Sequence, residues 1–203
     1  MKTNQELVEH LKSVGILKTP EIISAFEKAD RVDFIKSRDK SIAYEDIPLD
    51  IGYDQTISQP LTVAFMLEEL EPNKGDSVLD IGSGSGWTVA LLAHIVGENG
   101  EVAGLEIIPE LVDFGLSNIQ KYKLDHAKIE KAERGVLGKP GQKFDRILVS
   151  ASAKQMPEEL ILQLKPGGIL VVPVGNSIFK ITTSVGGVVS MQEFPGFVFV
   201  PLL

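Results

Sequence analysis

The stretch from Val78 to Gly86 carries the residues best suited to hold a ligand. It reads Val-Leu-Asp-Ile-Gly-Ser-Gly-Ser-Gly, so an apolar strand ends in a carboxylate, Asp80, and glycines follow at alternate positions before a helix. Glycine lets a backbone turn tightly and approach a ligand without a Cβ clash. Glu106 ends the next apolar run, where a carboxylate can accept hydrogen bonds from ribose hydroxyls. Together these residues predict a nucleoside-binding site.

The spacing of the glycines favours a nucleoside ligand without a pyrophosphate. The order is Gly-x-Gly-x-Gly, whereas dinucleotide-binding proteins use Gly-x-Gly-x-x-Gly to seat a pyrophosphate at a helix N-terminus. The difference disfavours a dehydrogenase. A carboxylate beside the loop, Asp80, also suits a cationic ligand better than a dianionic one.

Composition excludes several other kinds of chemistry. The 203 residues include no cysteine and only three histidines, which are far apart in sequence. Disulfides, thiolate nucleophiles and cysteine zinc sites are therefore excluded, and no metal is expected. The net charge of −8 argues against a protein that binds nucleic acid through bulk electrostatics.

The elements that position this loop follow from apolar periodicity. Short apolar strands alternate with helices from residue 60 onward, which predicts an α/β fold with a doubly wound, mostly parallel sheet and helices on both faces. Residues 1–55 are predicted to form an N-terminal helical cap, residues 56–176 the nucleoside-binding core, and residues 177–203 an antiparallel β segment at the edge, all within a single domain. The stretch from Ile42 to Tyr53 is predicted to be irregular, and the helix before the first core strand is predicted to begin near Ser58, with Ser58 as its N-cap.

Nothing at the N-terminus has the apolar core of a signal peptide, and the run from Ile169 to Val174 is too short to span a bilayer. The expected location is the cytoplasm. No repeated apolar seam suggests self-association, so a monomer is expected.

The segment from Ala43 to Pro60 resembles a signature of the protein-L-isoaspartate O-methyltransferases, a family of class I S-adenosylmethionine-dependent methyltransferases. In that family a Pro-Leu-x-Ile-Gly stretch runs into Gln-Thr-Ile-Ser-x-Pro, and both are present here. Four other stretches are similar to the family, so the resemblance covers nearly the whole chain: Thr19–Ile35, Phe144–Ala153, Leu164–Gly168 and Phe199–Leu202.

The resemblance implies a Rossmann-like methyltransferase sheet, S-adenosyl-L-methionine as cofactor and S-adenosyl-L-homocysteine as product. It implies that Ser58 contacts the substrate carboxylate, and that the cofactor is held by a larger set of residues. These are Thr56, Ile57, Asp80, Gly82, Ser83, Gly84, Gly86 and Glu106, with Glu133 and Arg134 near the adenine. Arg134 stands where the family usually carries an acid, and a register shift of one residue would bring Glu133 into that role. Asp54 stands where the family usually has a small residue.

The implied reaction is methyl transfer to the free carboxylate of L-isoaspartyl residues in damaged proteins or peptides, a protein-repair activity. A carboxylate is already ionised at pH 7, so no general base is required. Two alternatives remain open: a methyltransferase for a different carboxylate, such as a specific peptide aspartate, and a catalytically silent relative that only binds the cofactor. A nucleic-acid methyltransferase is disfavoured by the net charge and by Ser-Ala-Ser-Ala at residues 150–153, where such enzymes carry an Asn/Asp-Pro-Pro-Tyr/Phe type of motif.

Overall fold

The computed structural model describes residues 1–203, which form six helices and nine strands. The helices are α1 (Asn4–Ser13), α2 (Pro20–Lys28), α3 (Pro60–Leu70), α4 (Trp87–Val96), α5 (Pro109–Gln120) and α6 (Glu158–Ile161). The strands are β1 (Leu49–Gly52), β2 (Gln55–Ile57), β3 (Ser77–Ile81), β4 (Glu101–Glu106), β5 (Ala127–Lys131), β6 (Phe144–Val149), β7 (Leu164–Val174), β8 (Ser177–Thr183) and β9 (Val189–Pro195). Two 3-10 turns, Arg31–Phe34 and Ser37–Ile42, connect α2 to β1.

Seven strands form the central sheet in the order β5-β4-β3-β6-β7-β8-β9. Strands β3 to β7 pair in parallel, and β8 and β9 complete one edge in antiparallel fashion. The predicted parallel sheet and its antiparallel edge are confirmed. The order reverses between β3 and β6, and ligands of open α/β sheets bind beyond the carboxyl ends of the strands at such a point.

The two faces of the sheet are covered unequally. A cluster of 38 buried apolar residues joins α1 to α5 to one face, and a cluster of 13 lies on the other face, where α6 is the only helix. Successive residues of β3 alternate between the clusters, with Val78 in the larger and Leu79 in the smaller, as strand geometry requires. Helices α1 and α2 share the larger cluster with α3 and α4, so the N-terminal segment packs directly on the core.

Strands β1 and β2 form a hairpin where the sequence predicted an irregular stretch. Leu49 pairs with Ile57 and Asp50 with Thr56, and the turn between them places Tyr53 and Asp54 in the left-handed region, each with φ 57°. Strands of four and three residues are too short for an alternating pattern to stand out in the sequence. The hairpin brings Thr56 and Ile57 beside the carboxyl end of the central sheet.

Other boundaries differ in smaller ways. Helix α6 has four residues, where residues 157–163 were predicted to be helical, and β7 begins at Leu164 instead of Ile169. No helix combines the length and the apolar character that a membrane crossing requires.

Candidate active site

A cleft of about 590 Å3 opens beyond the carboxyl ends of β3, β4 and β6. Its 26 lining residues come from segments that are distant in the sequence. They come from seven stretches, 51, 55–56, 81–84, 105–107, 132–138, 150–159 and 200–203, in which Ser83, Arg134, Ser152, Met156 and Glu158 lie outside the lining. The fold therefore gathers the predicted glycine loop, Glu106 and Thr56 into one site.

The glycine-rich loop has the backbone conformation that its sequence predicts. Gly82, Gly84 and Gly86 have φ values of 77°, 50° and 84°, in the left-handed region that favours glycine. The N–H groups of Gly82 and Ser83 both donate to the carbonyl of Leu105, at 2.8 and 3.1 Å, which joins the loop to the end of β4.

Helix α5 packs against the glycine-rich loop. Gly115 lies so close to it that an added Cβ would stand 3.0 Å from the Gly84 carbonyl oxygen. The buried amide of Asn118 donates to the carbonyl of Ser85 at 3.0 Å. A small residue and a hydrogen bond, both on α5, thus fix the position of the loop.

Glu106 is a buried carboxylate at the cleft wall, held by three backbone N–H groups. One oxygen accepts from Ile107 and Ile108, at 2.8 and 3.0 Å, and the other accepts from Gly84 at 2.9 Å. A carboxylate offers about four acceptor positions. Glu106 therefore keeps acceptor capacity for a ligand hydroxyl while its orientation is fixed.

Asp80 lies beneath the loop and is completely buried. Burial raises the pKa of Asp80 to about 6, and the nearby charge of Glu106 acts in the same direction. The hydroxyls of Thr88 and Ser150 donate to the carboxylate and lower its pKa, but they only partly offset burial. Asp80 does not line the cleft, whereas Ser150 does, and its hydroxyl lies 3.0 Å from the carboxylate. The predicted role of Asp80 in cofactor binding stays a prediction, and in this geometry its influence on a ligand would run through Ser150.

A second, smaller cavity of about 30 Å3 lies between the glycine loop and the end of β2. Six hydroxyl-bearing residues line it: Thr56, Ser58, Ser83, Ser85, Thr88 and Ser150. The hydroxyl of Ser83 is buried and has no hydrogen-bond partner in the protein, which is costly for a buried polar atom unless a ligand or water satisfies it. This cavity is suited to a small polar group.

Ser58 does not cap helix α3, so the predicted N-cap is wrong. Gln59 is the N-cap residue, and the carboxylate of Asp46 accepts from the N–H of Leu61 at 2.8 Å. Asp46 also accepts from the side-chain amide of Gln59 at 3.0 Å. A residue far upstream therefore satisfies the helix terminus, and the Ser58 hydroxyl forms no hydrogen bond within the protein.

The structure separates the two residues proposed near the adenine. Glu133 lines the cleft, whereas Arg134 is exposed and lies outside the lining. Ile57 lines the smaller cavity, and Thr56 lines both. Glu133 is therefore the better placed of the pair to contact a bound nucleoside.

Sequence reasoning missed Ser150, Asp46 and the buried Arg31 as parts of this site. Ser150 follows β6, the neighbour of β3, and its place at the carboxyl edge of the sheet was the available signal. Asp46 and Arg31 act through contacts across long stretches of chain, which no local pattern reveals.

A parallel sheet with a glycine-rich loop after β3, an acid at the end of β4 and an antiparallel edge defines a class I methyltransferase. Two solved structures agree over nearly the whole chain. A protein-L-isoaspartate O-methyltransferase from Plasmodium falciparum in complex with S-adenosyl-L-homocysteine matches with a TM-score of 0.89 and 29% identity, covering 100% of this chain and 99% of that chain. Another protein-L-isoaspartate O-methyltransferase matches with a TM-score of 0.86 and 28% identity, covering 98% of this chain and 65% of that chain.

Sequence comparisons identify the family. The family model described as protein-L-isoaspartate(D-aspartate) O-methyltransferase matches residues 2–203. The protein-L-isoaspartate O-methyltransferase of Methanopyrus kandleri is 39% identical, covering 100% of this chain and 92% of the relative. That of Thermococcus onnurineus is 41% identical, covering 97% of this chain and 91% of the relative. The chain belongs to the protein-L-isoaspartate(D-aspartate) O-methyltransferase family.

Proposed function

We propose that this protein methylates the free carboxylate of L-isoaspartyl residues in damaged proteins or peptides, with S-adenosyl-L-methionine as the methyl donor. The observation that carries the proposal is the hydroxyl-lined cavity between Ser58 and the glycine loop, next to the main cleft, in a chain of this family. The two cavities offer adjacent places for a polar amino-acid end and for an adenosine.

The residues present fit S-adenosyl-L-methionine. The unpartnered hydroxyl of Ser83 can bond the amino-acid end, and Glu106 can accept from the ribose. Apolar residues of the cleft, including Leu105, Ile107 and Val136, offer contact area for the adenine. The bound cofactor supplies an electrophilic methyl group on a positively charged sulfonium.

The protein's part in the reaction is positioning. The acceptor carboxylate is ionised at pH 7, since its pKa is about 4, so no side chain has to remove a proton. The main cleft contains no histidine in its lining, and the reaction needs none. The acceptor oxygen, the methyl carbon and the sulfur must be held in line near contact distance, and such orientation can supply much of the rate enhancement.

Neutral donors hold the acceptor in this arrangement. The hydroxyl of Ser58 has no partner in the protein, and the backbone N–H groups of Ser58 and Gln59 donate to no protein acceptor. Such groups can orient a carboxylate without pairing its charge as an arginine would. The oxygen therefore keeps its nucleophilicity as water is removed.

The test is transfer of labelled methyl from S-adenosyl-L-methionine to two peptides that differ only in aspartate versus L-isoaspartate. Base-labile label on the isoaspartyl peptide alone is the expected result. Equal labelling of both peptides, or labelling of the aspartyl peptide alone, would select the alternative of a different carboxylate. Cofactor binding by calorimetry without transfer to either would select a silent relative.

Three further expectations stay predictions: a monomer, a cytoplasmic location and no nucleic-acid partner. Sedimentation at micromolar concentration tests the first of these directly. A mass near 22.1 kDa is expected, which is the mass of a single chain.

A further inference from the structure

Arg31 places a positive charge in the interior of the protein, close to the site. Its side chain is completely buried, and its pKa is lowered by burial to about 10, while the charge of Asp46 opposes that shift. The guanidinium is therefore still charged at pH 7. It forms no ion pair within 4.0 Å with any carboxylate, and its Nε has no partner.

The guanidinium binds four backbone carbonyls instead. Its two terminal nitrogens donate to Ala43 at 2.8 Å, Glu45 at 3.1 Å, Ile47 at 2.8 Å and Ser58 at 3.2 Å. All four carbonyls belong to residues 43–58, which we call the acceptor segment because it ends at Ser58. A single side chain thus fixes both ends of this segment.

The same guanidinium also lies against Trp87, which lines the smaller cavity beside the glycine loop. Its central carbon lies 5.5 Å from the centre of the Trp87 ring, and Trp87 directly follows Gly86 of the glycine loop. The indole N–H of Trp87 donates to the Ala29 carbonyl at 3.1 Å, two residues before Arg31. Arg31 therefore lies between the acceptor segment and the end of the glycine loop.

Stability alone is a poor reason for this arrangement. Burying an arginine removes it from water at a large cost, so a buried charge without a carboxylate partner is weak evidence for stabilisation. The fork geometry of the guanidinium, in contrast, suits the simultaneous binding of several carbonyls.

The hydrogen bond from Arg31 to the Ser58 carbonyl also polarises the peptide unit between Ser58 and Gln59. In a trans peptide the C=O and the following N–H point in opposite directions, so the N–H of Gln59 points away from Arg31. A charged donor on the carbonyl polarises the peptide unit and strengthens its N–H as a donor. That N–H has no acceptor in the protein.

We propose that Arg31 is a positioning residue for methyl transfer, which sets Ser58 against the glycine loop and strengthens the Ser58–Gln59 peptide as a donor to the acceptor carboxylate. The inference rests on the proposed function. Wild-type transfer to the isoaspartyl peptide, measured first, decides that function by itself.

The experiment compares Arg31→Lys and Arg31→Met with wild type, using the isoaspartyl peptide for kcat and KM and S-adenosyl-L-homocysteine for calorimetric binding. Lysine keeps a charge but lacks the fork, whereas methionine removes the buried charge and leaves the four carbonyls without their donor, so urea denaturation first establishes that each variant is folded. Both variants should lose about 100-fold in kcat, as a displacement of the acceptor by about 1 Å can cause. Their Kd for S-adenosyl-L-homocysteine should stay within about 3-fold of the wild-type value.

Arg146→Lys is the matched control. Arg146 also donates to two backbone carbonyls, those of Glu71 and Asp145, but it lies on β6 toward the end of the sheet opposite the cleft. Its replacement should leave kcat within about 3-fold of wild type. A loss in Arg146→Lys equal to that in Arg31→Lys would overturn the inference, since the effect would then be general destabilisation.

A double-mutant cycle with Ser58→Ala separates positioning from general support of the fold. Ser58→Ala removes the hydroxyl that Arg31 positions but leaves the Ser58–Gln59 peptide, so Arg31→Lys should cost less kcat in the Ser58→Ala background than in wild type. Equal losses in both backgrounds, or a kcat of Arg31→Lys and Arg31→Met near that of wild type, would overturn the inference.

Discussion

Replacing Asp80 with asparagine should make the protein more stable at pH 7.5 and weaken its hold on the cofactor. Asparagine has nearly the same shape, its oxygen can accept from Ser150, and its amide can donate to the hydroxyl of Thr88. The substitution removes only the buried charge. The carboxylate is completely buried, so little of the effect is lost to solvent screening.

The size of the effect follows from the pKa of Asp80, which burial raises from 3.8 to about 6. Because the folded state holds the proton more tightly than the unfolded state, this contribution to stability is present below pH 3.8 and is lost as the pH rises through about 6. The full difference corresponds to about 3 kcal/mol, at about 1.4 kcal/mol for each tenfold change. Between pH 4.5 and 7.5 the free energy of unfolding of wild type should fall by about 2 kcal/mol relative to Asp80→Asn.

Urea denaturation of both proteins at pH 4.5 and pH 7.5, at one ionic strength, measures this difference. Asp145→Asn is the control: burial raises the pKa of Asp145, but the bond to Lys165, 2.7 Å away, and the N–H of Ser77 outweigh burial, so the pKa is lowered. Its stabilising contribution is lost only as the pH falls below the range tested, so its difference from wild type should be flat. A difference between Asp80→Asn and wild type that is equally flat, within about 0.5 kcal/mol, would refute the reasoning.

Three further substitutions test separate parts of the site. Ser58→Ala should lower kcat by about 10- to 100-fold while the calorimetric affinity for S-adenosyl-L-homocysteine stays unchanged, and unaltered turnover would remove Ser58 from the mechanism. Asp54→Gly should raise the free energy of unfolding in urea by up to about 1 kcal/mol, because glycine adopts a φ of 57° more readily than aspartate; no gain would mean that the entropy glycine loses on folding offsets the relief of strain. Gly115→Ala should weaken cofactor binding, because the new Cβ would lie 2.7 Å from the Ile129 side chain and 3.0 Å from the Gly84 carbonyl oxygen, and so would displace the glycine loop. The cost of overpacking, about 1–3 kcal/mol, exceeds the gain in helix propensity, about 1 kcal/mol. Wild-type affinity in Gly115→Ala would show that α5 does not hold the loop in place.

The parts of the fold set by local pattern were predictable. Residues 77–81 and 101–106 are short apolar runs at strand length, and the glycines between them require left-handed backbone angles that few other residues adopt. The parallel sheet, its antiparallel edge and the loop beside Glu106 therefore follow from the sequence. Their gathering at one edge follows from the geometry of parallel strands.

The parts that depend on distant partners were not predictable. Ser58 has the sequence context of an N-cap, but Asp46 takes that function through a contact that the chain makes only when folded. Arg31 follows helix α2 and stands between Asp30 and Asp33, and arginine beside acidic residues is typical of a surface, so only the folded chain shows it buried. A local pattern contains neither the identity of the partner nor the depth of burial.

The residues that line the cleft come from many segments between residue 51 and residue 203, so a ligand can bind there only when the whole fold is intact. A partly unfolded chain that releases any one of these segments also loses the cleft, so a ligand of the cleft binds the native state alone. Ligand at 100 times its Kd then stabilises the native state by about 2.7 kcal/mol. A rise in melting temperature with ligand concentration therefore offers an activity-independent titration of the site, and it works equally well for variants that transfer no methyl group.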